Sequence, residues 1–308
     1  MKITKLTMMA PALLLACLSL TTTARADGTR SYISPSGSDN RPCTRTQPCR
    51  SFDGALAKTD EGGEIVAMET GTYDPTTVTK SITLAAAPGA DVAIRVAAGN
   101  AVTIGANSGD VVVLRGLRLS GPGKNVVGTA GVLFNINSPS CCVSVNIEHS
   151  IISDFDKGVQ MDLGVASRLL VSDSVFRANK TGINMFVGGA DGNGASIERT
   201  RFENNEVGLL HSGGNSAAVS YSVASGNGIG FLTEGGGKLE LFHTVASKNG
   251  TGVKANGGLI RIAYCSATGN GTGWSISGGT IATMGNNMVL NNDVDIAGAV
   301  NLVTFVPR

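Results

Sequence analysis

The chain has 308 residues, 42 of them glycine, which is about twice the usual share. Its 24 Lys and Arg nearly cancel its 23 Asp and Glu, leaving a net charge of +1 and no basic run, which excludes the electrostatic footprint of a nucleic-acid binder. A hydrophobic fraction of 42% excludes a disordered chain, and the lack of glycine at every third residue excludes collagen.

Residues 1–26 read as an export signal. Lys2 and Lys5 make a positive start, and the apolar stretch from Leu6 to Leu20 is shorter than the ~20 residues a membrane span needs. Ala24-Arg25-Ala26 is a small-residue cleavage site, so the mature chain is expected to begin at Asp27, secreted or periplasmic. A second reading takes Leu14-Leu15-Ala16-Cys17 as a lipoprotein box acylated at Cys17, with Leu15 and Leu18 as poor neighbours for it. After residue 26 no apolar run reaches spanning length, so no transmembrane segment is expected.

Residues 27–62 read as an N-terminal cap. Tyr32 to Asp39 suggests a strand and a turn. Cys43 and Cys49 bracket a short loop and, in an oxidising compartment, form a local disulfide contributing ~2–3 kcal/mol. A metal site is the alternative, but no histidine is near in sequence. Ser51 can cap a short helix whose Phe52, Ala55 and Leu56 close the open end of a stack. Strands begin at Gly63, with Glu64–Met68, Ser81–Leu84 and Val111–Leu114, and no linker separates them from the cap, so residues 63–308 join it in one domain. Cys141 and Cys142 are expected as thiols, and Cys265 as a small buried filler.

The most informative signal is a repeat. Asn179, Asn205, Asn227, Asn249, Asn270 and Asn292 are spaced by 26, 22, 22, 21 and 22 residues. Three residues after each of the first five stands a glycine (Gly182, Gly208, Gly230, Gly252, Gly273), and an apolar residue follows it: Ile183, Leu209, Phe231, Val253, Trp274. Gly158-Val159 opens the series, and Asn292 with Asp295 and Ile296 is a weakened last copy. Within a unit, residues alternate apolar and polar, then meet a Gly-rich corner such as Gly188-Gly189, Gly213-Gly214 or Gly235-Gly236-Gly237. A second inward lane is Val171, Ile197, Val219, Leu241, Ile262 and Met284, and a third is Phe176, Phe202, Ala224, Ala246, Ala267 and Val289. No ten-residue helix fits such a unit, the leucine-rich pattern is missing, and propeller blades need ~40–50 residues. The remaining architecture is all-β: a parallel β-helix of coils near 22 residues, stacked at ~4.8 Å around one core.

The repeated asparagines suit a ladder of side-chain amides along the axis. Asn179, Asn249 and Asn270 also match the N-glycosylation pattern, a role that burial in a ladder would forbid.

The entry segment Tyr32–Asp39, the Pro42-Cys43-Thr44 and Pro48-Cys49-Arg50-Ser51-Phe52 stretches, and the Asn-x-x-Gly-apolar coils together resemble the right-handed parallel β-helix proteins of the pectin-lyase-like superfamily, over about residues 32–300. The resemblance implies that fold and a link to polysaccharides. The superfamily holds polysaccharide lyases, polygalacturonases, pectin methylesterases, alginate epimerases and exported members of no known activity. Its lyases use a carboxylate cluster for Ca²⁺ with an Arg or Lys base beside it. That cluster, the Asn-Thr-Asp and Asp-Asp motifs and the Asp-Pro-His-Glu motif are missing from this sequence. Asp191-Gly-Asn193 begins like a Ca²⁺ loop but has Phe202 where the distal glutamate belongs, so it reads as a turn. No metal or other cofactor is expected, and Ca²⁺ enters only with a lyase.

Three outward lanes remain as candidate sites. One is Gln160, Asn184, Leu210, Leu232, Lys254 and Ser275; the next is Asp162, Phe186, Ser212, Glu234, Asn256 and Ser277. Glu234 and Lys254 fall on neighbouring coils, as a surface ion pair or an acid–base pair. The third lane lies six residues before each asparagine: Asp173, Arg199, Tyr221, His243, Tyr264 and Asn286. It reads either as ordinary sheet surface or as a glycan lane whose aromatic faces stack on sugars. A one-residue slip would turn these side chains inward. His211 falls on the inward side and is expected as a core histidine with its hydrogen bonds satisfied. The function expected is an exported, non-catalytic β-helix contacting glycan or cell-envelope polysaccharide; the alternative is a polysaccharide lyase or glycoside hydrolase with an unrecognised site. The oligomeric state is not legible.

Overall fold

The structure, a computed structural model, describes residues 28–136, 142–163, 167–187, 194–214, 216–298 and 302–304. The expected leader with Cys17, Cys141, the Gly188-Gly189 corner and the Asp191–Asn193 turn lie outside these residues.

Each coil contributes three short strands, as in Val207–Gly213, Ser216–Ser220 and Val223–Ser225. Successive coils pair in parallel and build three sheets. Sheet 1 runs from Arg30–Ile33 to Leu302–Thr304, sheet 2 from Gly71–Tyr73 to Met288–Leu290, and sheet 3 from Thr76–Val78 to Val294–Gly298. The result is a right-handed parallel β-helix of about 10 coils. The first lane stacks in register, Val159 on Ile183, Leu209, Phe231, Val253 and Trp274, each at most 4% exposed. Phe176 and Phe202 stack at 5.5 Å in the third lane, and where that lane shrinks to Ala224 and Ala267, the same coils supply Phe231 and Trp274. Burying such a side chain stabilises by ~1.5–3 kcal/mol. The second lane needs one correction. Ile262 pairs with Thr283, which is buried, while Met284 is 37% exposed. The strand Thr280–Thr283 arrives one residue early, so Thr283 holds the inward place.

The glycine after each asparagine is required by contact. A Cβ at Gly208 would lie 2.5 Å from the carbonyl oxygen of Gly230, and one at Gly230 would lie 2.5 Å from that of Gly252. Only a residue without a Cβ lets the coils approach so closely there.

The asparagines run as a continuous chain of hydrogen bonds. Nδ2 of each donates to Oδ1 of the next: Asn179 to Asn205 at 3.2 Å, Asn205 to Asn227 at 3.0, Asn227 to Asn249 at 2.9, Asn249 to Asn270 at 3.0, Asn270 to Asn292 at 2.9. The second amide hydrogen goes to a carbonyl one coil back, as Asn227 to Phe202 at 2.9 Å. Each Oδ1 also accepts a backbone N–H, as Asn249 does from Asn227. Asn179, Asn249 and Asn270 are at most 4% exposed, which leaves no room for a glycan on them. The row ends on Asp295, whose carboxylate accepts both the backbone N–H and the side-chain amide of Asn292. The weakened last copy therefore supplies the acceptor that a further asparagine would have given.

At the N-terminal end, Ser51 caps the helix Phe52–Leu56 by accepting from the Gly54 N–H. Phe52 is fully buried, 5.7 Å from the Tyr73 ring, and Leu56 packs on the core from its edge. Cys43 and Cys49 are disulfide-bonded. Cys265 is buried, and its Sγ donates to the Ala263 carbonyl at 3.2 Å.

Candidate functional site

The lane expected on a sheet surface lies instead on a corner. Asp173, Arg199, Tyr221, His243 and Tyr264 have φ of 50°, 46°, 48°, 49° and 54°. Each is the single left-handed residue joining sheet 1 to sheet 2, and the lane starts one coil earlier, at His149 with φ 49°. The period-two slip does not arise, because a corner residue points outward whatever the parity of its strand. The N–H of each donates along the axis, as Tyr221 to the Phe242 carbonyl at 3.1 Å and His243 to that of Ala263 at 3.2 Å. Tyr264 departs from this, donating to Oδ1 of Asn286. Left-handed backbone at a bulky residue costs ~1–3 kcal/mol.

Behind the lane runs a buried column that sequence reading missed: Ser150, Ser174, Thr200, Ser222, Thr244 and Cys265. Its hydroxyls return to the carbonyl two residues earlier, Ser222 to Ser220 at 2.8 Å and Thr200 to Glu198 at 3.0 Å. Some also accept from the coil before, as Ser222 does from the Thr200 N–H. The signal was a Ser or Thr directly after each lane residue from His149 to His243, with Cys265 after Tyr264, repeated at the coil period. The column anchors the left-handed corner from inside.

On the outside, the lane divides by chemistry. Arg199 grips Asp173 through two bonds, at 2.8 and 3.0 Å, and also pairs with Glu198. The Arg199 hydrogen bonds hold the Asp173 carboxyl below the usual carboxylate range. Beyond them the rings of Tyr221 and His243 stack at 5.1 Å with planes 4° apart, and those of His243 and Tyr264 at 5.0 Å and 8°. Phe242 meets His243 edge-on at 4.3 Å. Tyr221 is 55% exposed and Tyr264 53%. Both faces of the His243 ring are therefore covered by tyrosines, while Tyr221 and Tyr264 each have one face that no ring of the lane covers. The coil spacing of ~4.8 Å matches ring stacking, which is why three rings on one lane close upon each other.

The row borders the outer face of sheet 1. There one lane runs Leu170, Ser196, Ala218, Glu240, Arg261, Ala282, and another Arg168, Gly194, Ser216, Lys238, Leu259, Thr280. The small residues Gly194, Ser196, Ser216 and Ala218 leave an open hollow of about 430 Å³. A second, of about 510 Å³, lies against Phe242 and Met284 with Ala263 and Ala282 on its floor and the Glu240–Arg261 ion pair, at 2.9 Å, on its side.

The other candidates separate from this face. Glu234 accepts from Asn256, its partner on the next coil, at 3.2 Å rather than meeting Lys254. Lys254 is level with Leu232, one lane over. His211 is fully buried, but among the described residues neither ring nitrogen has a hydrogen-bond partner, so the expectation of a satisfied histidine is overturned. Its neighbours in the lane, Met185 and Thr233, offer no suitable group in place, and the Thr233 hydroxyl is itself unpartnered. Burial alone pulls the imidazole pKa down to about 4. Among the described residues no three His, Cys, Asp or Glu come together as a metal-binding set.

No protein-family model matches the sequence, and no curated protein matches it. Among solved structures the chain is similar to the pectate lyase Pel9A, with a TM-score of 0.59 and 15% identity over 88% of this chain and 78% of that one. It is also similar to XylC in complex with xylose (TM-score 0.49, 9% identity, 78% and 69% covered). A GH136 lacto-N-biosidase from Eubacterium ramulus matches with a TM-score of 0.46 and 10% identity, over 91% and 68%. The likeness to Pel9A shows a shared fold.

Proposed function

We propose that the protein is an exported, non-catalytic β-helix that contacts glycan or cell-envelope polysaccharide along the corner lane of Asp173, Arg199, Tyr221, His243 and Tyr264, with residues 27–62 as its cap. The observation that carries this reading is the exposed stack of Tyr221, His243 and Tyr264 on left-handed corners. Glycine, which occupies the same corner at Gly116, would cost the backbone nothing there. Bulky rings held at such positions on three successive coils point to a use outside the core. The rings are locked by one another and by the column behind them, so little ordering is needed on binding. Their hydroxyls and ring edges, repeated at the coil spacing, suit an extended chain of sugars lying along the axis. The structural likeness to a pectate lyase supports a carbohydrate setting. The local disulfide supports an exported protein.

The test is affinity electrophoresis through gels containing soluble polysaccharides, with and without Ca²⁺, alongside a release assay for reducing sugar and unsaturated product. Retention without product formation is expected. Tyr221→Ala combined with Tyr264→Ala should abolish retention and leave the melting curve nearly unchanged. Full retention by the double variant removes the lane from the function, and product formation makes the protein a lyase or hydrolase.

A further inference from the structure

At the hollow beside Phe242 and Met284 the charges on the outer face of sheet 1 are cancelled and the surface left over is largely apolar, whereas the other hollow carries Arg168. Arg261 is paired with Glu240, and Arg199 with Asp173 and Glu198. Further along, Arg115 is paired with Glu148 at 2.8 Å. Among the described residues of this face, the cations without an ion pair are Arg168 and Lys238, which stand three strands apart in one lane, ~14 Å at the parallel strand spacing. Between the guanidinium of Arg261 and the end of the sheet, Phe242 is 41% exposed and Met284 37%, with Ala263 and Ala282 beneath them. The hollow they bound, about 510 Å³, is of the size that holds a small ligand or a short stretch of a chain.

A polyuronate carries a carboxylate on every sugar. Binding it on this face would require either cations along its path or a metal ion bridging it to carboxylates. Arg261, the arginine at this hollow, is already occupied by Glu240, the unpaired Arg168 and Lys238 lie outside it, and the described residues bring no metal-binding set together. A neutral sugar needs neither. Its C–H face can lie on Phe242 and Met284, which gain contact by shedding water, and its hydroxyls can reach the polar edge formed by Glu240 and Arg261. Resting on the reading of the corner lane as a glycan contact, we infer that the ligand is a neutral polysaccharide, seated with an apolar sugar face in the hollow between Phe242 and Met284, and that polyuronates are excluded.

The experiment is affinity electrophoresis of the full chain in gels of galactan, xylan and polygalacturonate, at ~50 and ~500 mM NaCl, where surface charge interactions differ strongly in screening. The expected result is retention by at least one of the two neutral polymers, changed less than twofold by salt, and none by polygalacturonate. Phe242→Ala with Met284→Ala should weaken that retention at least tenfold; both side chains are partly exposed, and an unchanged melt verifies the fold. Glu240→Gln, which frees the Arg261 guanidinium, should gain retention on polygalacturonate at low salt. Polygalacturonate retention by the parent chain that needs Tyr221 and Tyr264 would overturn the neutral ligand while leaving the glycan reading intact. Unchanged retention in the Phe242/Met284 variant, or no gain by Glu240→Gln, would overturn it as well. Retention on none of the three polymers would overturn this inference, and retention on no polysaccharide of the wider panel would take the glycan reading with it.

Discussion

Replacing His211 by methionine should stabilise the protein, and by an amount that depends on pH. The imidazole is sealed inside the coil stack, stacked in register between Met185 and Thr233, with both nitrogens unpartnered among the described residues. The packing over it is tight: a Cβ at Gly237 would lie 2.7 Å from Nδ1. A buried polar group left without its hydrogen bond costs ~1–3 kcal/mol, and this ring has one donor and one acceptor in that state. Methionine is the residue already used at the two preceding positions of the lane, Met161 and Met185, and a roughly volume-conserving exchange costs under ~1.5 kcal/mol. The net gain at neutral pH should be ~0.5–6 kcal/mol. Acid should widen the gap. Burial lowers the imidazole pKa from 6.5 to about 4. Between those values the unfolded chain binds a proton that the folded chain refuses, so the parent loses stability as pH falls from 6.5 and stops losing it near 4. The full loss is ~3 kcal/mol at 1.36 kcal/mol per unit. Urea unfolding of both proteins at a series of pH values measures this directly. A variant no more stable than the parent at pH 7 would refute the claim that the ring is unsatisfied. An equal loss in parent and variant between pH 6.5 and 4 would refute the assignment of that loss to His211.

Four further substitutions probe the coil stack. Asn227→Ala and Asn249→Ala should each destabilise by ~1–3 kcal/mol, because each removal strips an acceptor from the preceding asparagine and a donor from a buried carbonyl; thermal melts within half a kcal/mol of the parent, about half the smallest loss expected, would deny the row any energetic role. Gly230→Ala should cost ~1–3 kcal/mol, since its Cβ would stand 2.5 Å from the Gly252 carbonyl oxygen; an unchanged urea midpoint would mean that the coils can part there freely. Asp295→Ala should release the last coil more than the middle ones, exposing the Asn292 amides to hydrogen exchange; uniform protection along the stack would show that the carboxylate does not terminate the row.

Much of the architecture was legible because a β-helix repeats one local problem in every coil. Asn-x-x-Gly-apolar recurs wherever an amide must reach the next coil and a backbone must pass a neighbour without a Cβ. The inward residues Val159 to Trp274 follow from period two within each strand. The departures come from contacts that only the neighbouring coil supplies. Thr283 rather than Met284 faces inward because pairing with Ile262, not the count from the asparagine, sets the last strand. Tyr221, His243 and Tyr264 are exposed for a reason that alternation does not contain: a left-handed corner, anchored from within by Ser222, Thr244 and Cys265. Both faces of the His243 ring are turned on the tyrosines, since rings repeated at the coil spacing stack on one another. His211 looked like any inward polar residue that finds a partner. Its neighbours across the coil interface, a methionine and a threonine whose own hydroxyl is unpaired, decided otherwise, because a hydrogen bond needs a second group in position and a one-dimensional repeat specifies only the first.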